Sequence, residues 1–179
     1  GPSPAERLAG ELAQARAAIA SLPPFVARVA LFLDAAAATV QGVVDALWPD
    51  LLQFHGSEAP SYCRAFGVPY IKAVPMGAGA DPRQWAERYH DAAALLLDSH
   101  AVGEAGGSGK PFDWQRAAYG SGPALIVAGG LNADNVGAAI RDMRPYAVDV
   151  SSAVESSPGV KDPGLIEAFI EAVHRGNSY

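Results

Sequence analysis

"ALIVAGGLNADNVGAAIRDMRPYAVDVSSAVES", residues 124–156, is the stretch from which the fold is read. Five aliphatic residues lead into a Gly-Gly pair, then an Asn/Asp-rich turn, a helical stretch and a second apolar run that ends in two serines. Strand, turn, helix and strand in that order make a βα unit delivering the chain to a parallel neighbour.

The same alternation runs back to residue 26. Strands are expected at 26–34, 50–56, 70–74, 93–98, 124–130 and 147–153, with no hairpin signal for an antiparallel pair. Helices are expected between them, at "AAATVQGVVDALW", "APSYCRAFG", "DPRQWAERYH", "FDWQRAA", "NADNVGAAIRDM" and "DPGLIEAFIEAVHR". Asp81-Pro82 and Asp162-Pro163 each put a capping carboxylate before a proline at the first helical position, and Asn132 with Asp134 is read as a third cap. Residues 1–25 form an Ala-rich helix ending at Pro23-Pro24, with no strand before it. Gly1-Pro2-Ser3 reads as a protease-cleavage remnant. Residues 1–179 are taken as one domain, with six βα units over 26–175.

Parallel strands with helical crossovers either lie in an open doubly wound sheet or close into a barrel. No strand here enters a G-x-G-x-x-G turn. Polar groups instead end several different strands: Gln53 and His55, Asp98, Gly129 and Gly130, Ser151 and Ser152. That distribution points to an α/β fold of the (β/α)8 TIM-barrel type. Such barrels run to about 200 residues or more. The first one to two strands are therefore expected to be absent or to lie outside this stretch, with "LAGELA" (8–13) a candidate join.

A chain of 179 residues, 50% hydrophobic and 18% charged, has the composition of a soluble globular domain. Its net charge of −6 and the lack of a Lys/Arg cluster argue against a nucleic-acid partner. No apolar run reaches the length of a membrane span and no signal-peptide pattern is present, so a cytoplasmic protein without a membrane partner is expected. A single cysteine, Cys63, makes no internal disulfide and no metal cluster.

Alternation assigns faces, because residues two apart share one. Leu52 and Phe54 share one face, Gln53 and His55 the other. Val148 and Val150 point to the helices, which turns Asp149 and Ser151 inward. His55 is either a strand-end histidine bonded to a neighbouring loop or a ligand contact. An inward Lys72 and Asp149 are expected to neutralise each other. The Gly-Gly turn before a helix offers bare amides at a positive dipole end, and the Ser-Ser turn adds two hydroxyls; on the last two strands of a barrel, this is the place for a phosphate.

Asp98 closes an apolar strand before a loop containing Gly103, Gly106, Gly107 and Gly109. "GEAGGSGKP" (103–111) is not a nucleotide P-loop, because Glu104 and Pro111 hold the places of the first glycine and of the Ser/Thr that ligates magnesium. A long glycine-rich loop in a compact barrel reads as a cover over a site. Asp98 is then either a turn former or a carboxylic acid whose pKa is raised by apolar walls until it can donate a proton near neutrality.

Four stretches, "LLQFHGSEAPSYCRAFGVPYIKAV", "LLLDS…GGSGKPFDW", "LIVAGGLNADNV" and "AVDVSSAVESSPGVKD", together resemble phosphoribosylanthranilate isomerase of tryptophan biosynthesis, in order from about residue 22 to 174. The resemblance implies an eight-stranded barrel that performs an Amadori rearrangement of N-(5-phosphoribosyl)anthranilate to the 1-deoxyribulose isomer without metal or organic cofactor. It implies that Asp98 is the general acid at the furanose oxygen, that Gly129, Gly130, Ser151 and Ser152 hold the phosphate, and that Gln53, His55 and Asp149 line the pocket. The partner implied is a small phosphosugar, and the chain a monomer or homodimer.

Three departures from the family stand out. The Lys-Ile-Cys-Gly type motif that carries the family's base has no match in this sequence. Cys63, between Tyr62 and Phe66 on a packed helix face, is expected to be a buried thiol and not a replacement. The family's Ser-Pro-Arg appears only as Ser3-Pro4-Ala5, and Ala153 replaces a glycine after the serine pair. Without the base, turnover should fall by roughly 10² to 10⁴ while phosphate binding persists. The rival readings are a catalytically impaired barrel that binds a phosphorylated ligand, and a related indole-pathway phosphosugar enzyme, for which only Lys72 is placed to serve.

Overall fold

The computed structural model describes residues 4–99 and 122–178, with side chains from residue 9 onward. Gly1-Pro2-Ser3, the glycine-rich loop and the helix expected at "FDWQRAA" lie outside the described residues. The chain divides into two compact units, 1–71 and 72–179.

The first unit contains α1 (Pro4–Ala20), β1 (Val29–Phe32), α2 (Ala37–Leu47), β2 (Leu51–Phe54) and α3 (Pro60–Cys63), which tightens into a 3-10 turn over Arg64–Phe66. β1 and β2 pair in parallel from Val29↔Leu51 to Phe32↔Phe54, and His55 N donates to Phe32 O one step beyond. Phe54 is fully buried at the centre of an aromatic cluster with Phe32, Tyr62, Phe66 and Tyr70, each with its ring centroid about 6 Å away. Rings in tilted and edge-on contact add to the area they bury. This face of β2 carries Leu52 and Phe54, as alternation requires. On β1 Val29 and Leu31 are exposed, as is Leu33 just beyond its end.

An ion pair marks the entrance to these strands. Arg28 grips Asp50 through both Nε and a terminal nitrogen, at 2.8 and 3.0 Å, and its backbone N–H donates to the same carboxylate. The Arg28 hydrogen bond holds the Asp50 carboxyl well below the usual carboxylate range. At the exits of the strands two carboxylates clasp two loops. Glu58 is buried; its Oε1 accepts from Asp34 N (2.8 Å) and its Oε2 from Gly56 N (2.9 Å). Asp34 returns the contact by accepting from Ser57 N at 2.7 Å. These bonds hold Asp34 in the left-handed region, φ 47°, a conformation that aspartate tolerates better than most residues.

The second unit begins within β3 (Tyr70–Pro75) and continues through α4 (Pro82–Arg88), β4 (Ala94–Asp98), β5 (Ala124–Ala128), α5 (Val136–Met143), β6 (Ala147–Val148), β7 (Glu155–Ser157), β8 (Val160–Lys161) and α6 (Pro163–Gly176). β4 pairs with β5 in parallel, Ala94↔Ala124 to Asp98↔Ala128, and β5 with β6, Val127↔Val148. Leu95, Leu96 and Leu97 are buried on both faces, as in a sheet with both sides covered. Val127, Leu131, Val136, Ala139, Ile140, Val154, Phe169 and Ala172 form a core to which Val148 and Val150 add. Asp81 and Asp162 cap α4 and α6, accepting from Arg83 N and Leu165 N. No helix among the described residues is long and apolar enough to cross a membrane.

Several expectations change. β7 and β8 form an antiparallel hairpin, Glu155↔Lys161, where the sequence reading finds none. The strands end earlier than expected, β2 at Phe54 and β6 at Val148, so His55 and Ser151 stand on loops and Ser152 opens a 3-10 turn over Ser152–Val154. The regular helix α5 starts at Val136, and Asn132 caps the turn that leads into it: its Oδ1 accepts from Asp134 N and Asn135 N, and its carbonyl from Val136 N. Lys72, expected inward, is fully buried with its ammonium 5.6 Å from the Trp85 ring of α4 and 5.9 Å from Tyr89. Trp85 and Tyr89 stack on one another, and their π-faces give a desolvated cation an electrostatic partner on the helix side.

Replacing Glu58 with alanine leaves the Asp34 and Gly56 N–H groups without acceptors. Urea denaturation should register a loss of about 2 kcal/mol or more; a change within about 0.5 kcal/mol, the size of a neutral surface substitution, would mean that the clasp is dispensable.

Candidate active site

Within the second unit, three neighbouring parallel strands end in polar groups. The register puts Asp98, the last residue of β4, opposite Ala128, the last residue of β5, so the Gly129-Gly130 turn leaves the sheet beside the carboxylate. Contact is direct: a side-chain carbon on Gly129 would meet Ser99 and the Asp98 carboxylate, with Oδ1 2.5 Å away. Gly129 and Gly130 both adopt left-handed backbone, φ 78° and 67°. Only glycine satisfies both demands at 129, the positive φ and the missing side chain.

The turn is fastened from behind. Asn135 Nδ2 donates to Gly130 O at 2.9 Å, and Asn135 Oδ1 accepts from Asn132 N at 2.8 Å. Two asparagines and the buried Leu131 therefore hold the loop that precedes α5. On the next strand Asp149 N donates to Val127 O, so β6 stays in register until the chain turns into Ser151 and Ser152. Asp149, Ser151 and Ser152 are exposed, while Val148 and Val150 pack into the core, so the expected facing of this strand holds.

Ser151 stands in irregular backbone, φ −125° and ψ −85°. Its carbonyl accepts from Val154 N and from the ammonium of Lys161, at 3.3 and 2.9 Å. Lys161 also contacts Ser151 Oγ at 3.4 Å and pairs with Glu155 Oε1 at 2.7 Å across the β7–β8 hairpin. Glu155 Oε2 accepts from Gly159 N. The Lys161 hydrogen bond is the main reason the Glu155 carboxyl lies below its ordinary value. The sequence reading misses Lys161 and Glu155. Their signal is present: Pro158-Gly159 is a turn dipeptide with an acid three residues before it and a base two residues after it.

In the first unit Gln53 is buried and its Nε2 lies 3.3 Å from Nδ1 of the half-buried His55. The pair sits on the face opposite Phe54. Glu58, absent from the expected site residues, fixes the loop that follows His55 through Gly56. Cys63 is fully buried, its thiol 3.8 Å from Glu58 O.

Parallel β/α units with polar groups gathered at the carboxyl ends of strands are the build of an α/β-barrel enzyme. The family model of N-(5'-phosphoribosyl)anthranilate (PRA) isomerase matches residues 9–172. An N-(5'-phosphoribosyl)anthranilate isomerase of Halorhodospira halophila is 49% identical over 167 residues, covering 93% of this chain and 80% of that protein. The phosphoribosyl anthranilate isomerase structure from Thermus thermophilus superposes with a TM-score of 0.77 at 35% identity, covering 90% of this chain and 78% of the other. A further structure of that enzyme, in complex with reduced 1-(o-carboxyphenylamino)-1-deoxyribulose 5-phosphate, gives 0.73 at 33% identity, covering 92% and 79%. The chain belongs to the phosphoribosylanthranilate isomerase family, and its fold is that of the TIM barrel.

Gly129→Ala should fold with a strained β5 exit and push the Asp98 carboxylate from its place. Isothermal titration with the reduced deoxyribulose 5-phosphate compound should read at least a tenfold loss of affinity, and unchanged affinity would show that this contact has no bearing on the ligand. The Glu155–Lys161 clasp should respond to acid. Because the folded carboxyl lies below its ordinary value, the clasp contributes fully above the usual carboxylate range and is lost as pH falls from that range through the lowered value. Protection factors of the amides over 155–161, corrected for the intrinsic pH dependence of exchange, should fall there in the parent and stay flat with pH in Glu155→Gln.

Proposed function

We propose that the protein catalyses the Amadori rearrangement of N-(5-phosphoribosyl)anthranilate to 1-(2-carboxyphenylamino)-1-deoxyribulose 5-phosphate, with Asp98 as general acid. Its membership of the isomerase family carries the reaction; the contact between the Asp98 carboxylate and the Gly129 turn is the observation that carries the residue assignment. Asp98 gives its proton to the furanose oxygen, the ring C–O bond breaks, and the nitrogen lone pair forms a C=N bond at C1. A base then takes the C2 proton, the electrons reach the nitrogen through an enol-amine, and the 2-hydroxyl becomes the ketone as C1 gains a proton. Atoms balance without an external oxidant.

The phosphate is held at the Gly129-Gly130 and Ser151-Ser152 turns, whose amides and hydroxyls need no positive side chain to receive an anion. Support comes from their position at the ends of adjacent parallel strands, beside the acid. Asp149 is assigned to the substrate beside these turns, and Gln53 and His55 are assigned as further substrate contacts. Cys63, buried against Glu58, does not serve as the C2 base. The enzyme acts on a small phosphosugar in the cytoplasm, as a monomer or a homodimer.

Loss of substrate fluorescence on mixing measures the reaction. Asp98→Asn, which keeps the shape and removes the proton, should lower kcat by at least about 10², the usual contribution of one positioned acid, with KM changed little. An Asn variant as active as the parent would remove Asp98 from the mechanism, and a parent that binds the phosphosugar without turning it over would favour a binding role.

A further inference from the structure

Of the polar groups outside the site already assigned, Lys161 has the most specific surroundings. Its three ammonium protons meet three acceptors: Glu155 Oε1 at 2.7 Å, Ser151 O at 2.9 Å and Ser151 Oγ at 3.4 Å. Glu155 is itself anchored through Gly159 N, and the hairpin is held to the serine turn by Asp162 N donating to Val154 O at 2.9 Å. The cation is thus fixed in place by its own hairpin, beside a turn of irregular backbone.

A hydroxyl has one proton to give and two lone pairs to receive with. An ammonium that donates to Ser151 Oγ takes up a lone pair and turns the hydroxyl proton away from itself. Among the described residues no acceptor takes that proton, and Ser151 is exposed. The hydroxyl is therefore set as a donor pointing away from the protein's own cation. Glu155 offsets the charge of Lys161 at 2.7 Å, so direction and not net charge is what the pair supplies.

We propose that Lys161, anchored by Glu155, is a positioning residue of the phosphate subsite, fixing the Ser151 carbonyl and orienting the Ser151 hydroxyl to donate to a phosphate oxygen. This rests on the assignment of the Gly129-Gly130 and Ser151-Ser152 turns to the phosphate.

The test is a set of titrations with the reduced deoxyribulose 5-phosphate compound and with its dephosphorylated counterpart. Lys161→Met should weaken the phosphorylated ligand about tenfold and leave the dephosphorylated one unchanged. Glu155→Gln should weaken it in the same direction, whereas a purely electrostatic role for Lys161 requires the opposite sign, since a negative charge has been removed. Ser151→Ala should absorb most of the Lys161 effect, so that the double variant is hardly weaker than either single one. If Ser151→Ala and Ser152→Ala leave the phosphorylated ligand unaffected, the phosphate assignment itself is wrong. If they weaken it while Lys161→Met and Glu155→Gln do not, or if the Lys161 and Ser151 losses add in full, the assignment stands and the role of Lys161 is refuted. Should Lys161→Met unfold, Glu155→Gln and its double variant with Ser151→Ala carry the same decision.

Discussion

Parallel pairing of β4 with β5, which end together at Asp98↔Ala128, and of β5 with β6, whose last pair is Val127↔Val148, is the constraint on which the candidate site depends. A parallel ladder slipped by one residue would turn every side chain on one strand to the other face. Asp98 would then enter the helix side and the valines of β6 would meet solvent. The register is held where the two faces differ: Val148 and Val150 pack into the core while Asp149 between them is exposed, and a slip would reverse them. Given that register, a carboxylate, a glycine turn and a serine turn necessarily leave the sheet side by side.

Carboxylates do a second kind of work throughout the chain. Glu58, Asp34, Asp50, Asp81, Glu155 and Asp162 each accept at least one backbone N–H. Hydrogen bonds to charged acceptors are about twice as strong as neutral ones. The loops at the strand ends are thereby set by directed polar contacts, with little apolar burial. Much of the net charge of −6 is in this way committed to local structure, and the net negative charge coexists with turns suited to an anion because those turns present amides and hydroxyls.

The fold class was legible because both its signals are local. Apolar runs of strand length and helical spacing can be read without knowing what they touch, and the caps Asp81 and Asp162 behave as their position before proline requires. Strand facing was legible in β2 and β6 for the same reason, since alternation is a property of the backbone. The aromatic surroundings of Lys72 were not legible. The stacked pair of Trp85 and Tyr89 that receives it lies on another element, and sequence spacing does not reveal such a partner. The β7–β8 hairpin was overlooked because its strands are three and two residues long, too short to show any period. The Asp34–Glu58 clasp joins residues 24 apart through backbone amides, which carry no identity in a sequence.

The central claim is that acid and phosphate turns share one mouth at the ends of β4, β5 and β6. An amide-resolved NMR titration with the reduced deoxyribulose 5-phosphate compound tests it most directly. The amides of Asp98, Gly129, Gly130, Ser151 and Ser152 should move together along one binding curve, while inorganic phosphate should move the glycine and serine amides and spare Asp98. Shifts that follow separate curves, or that fall on other faces and leave these five residues still, would contradict the account.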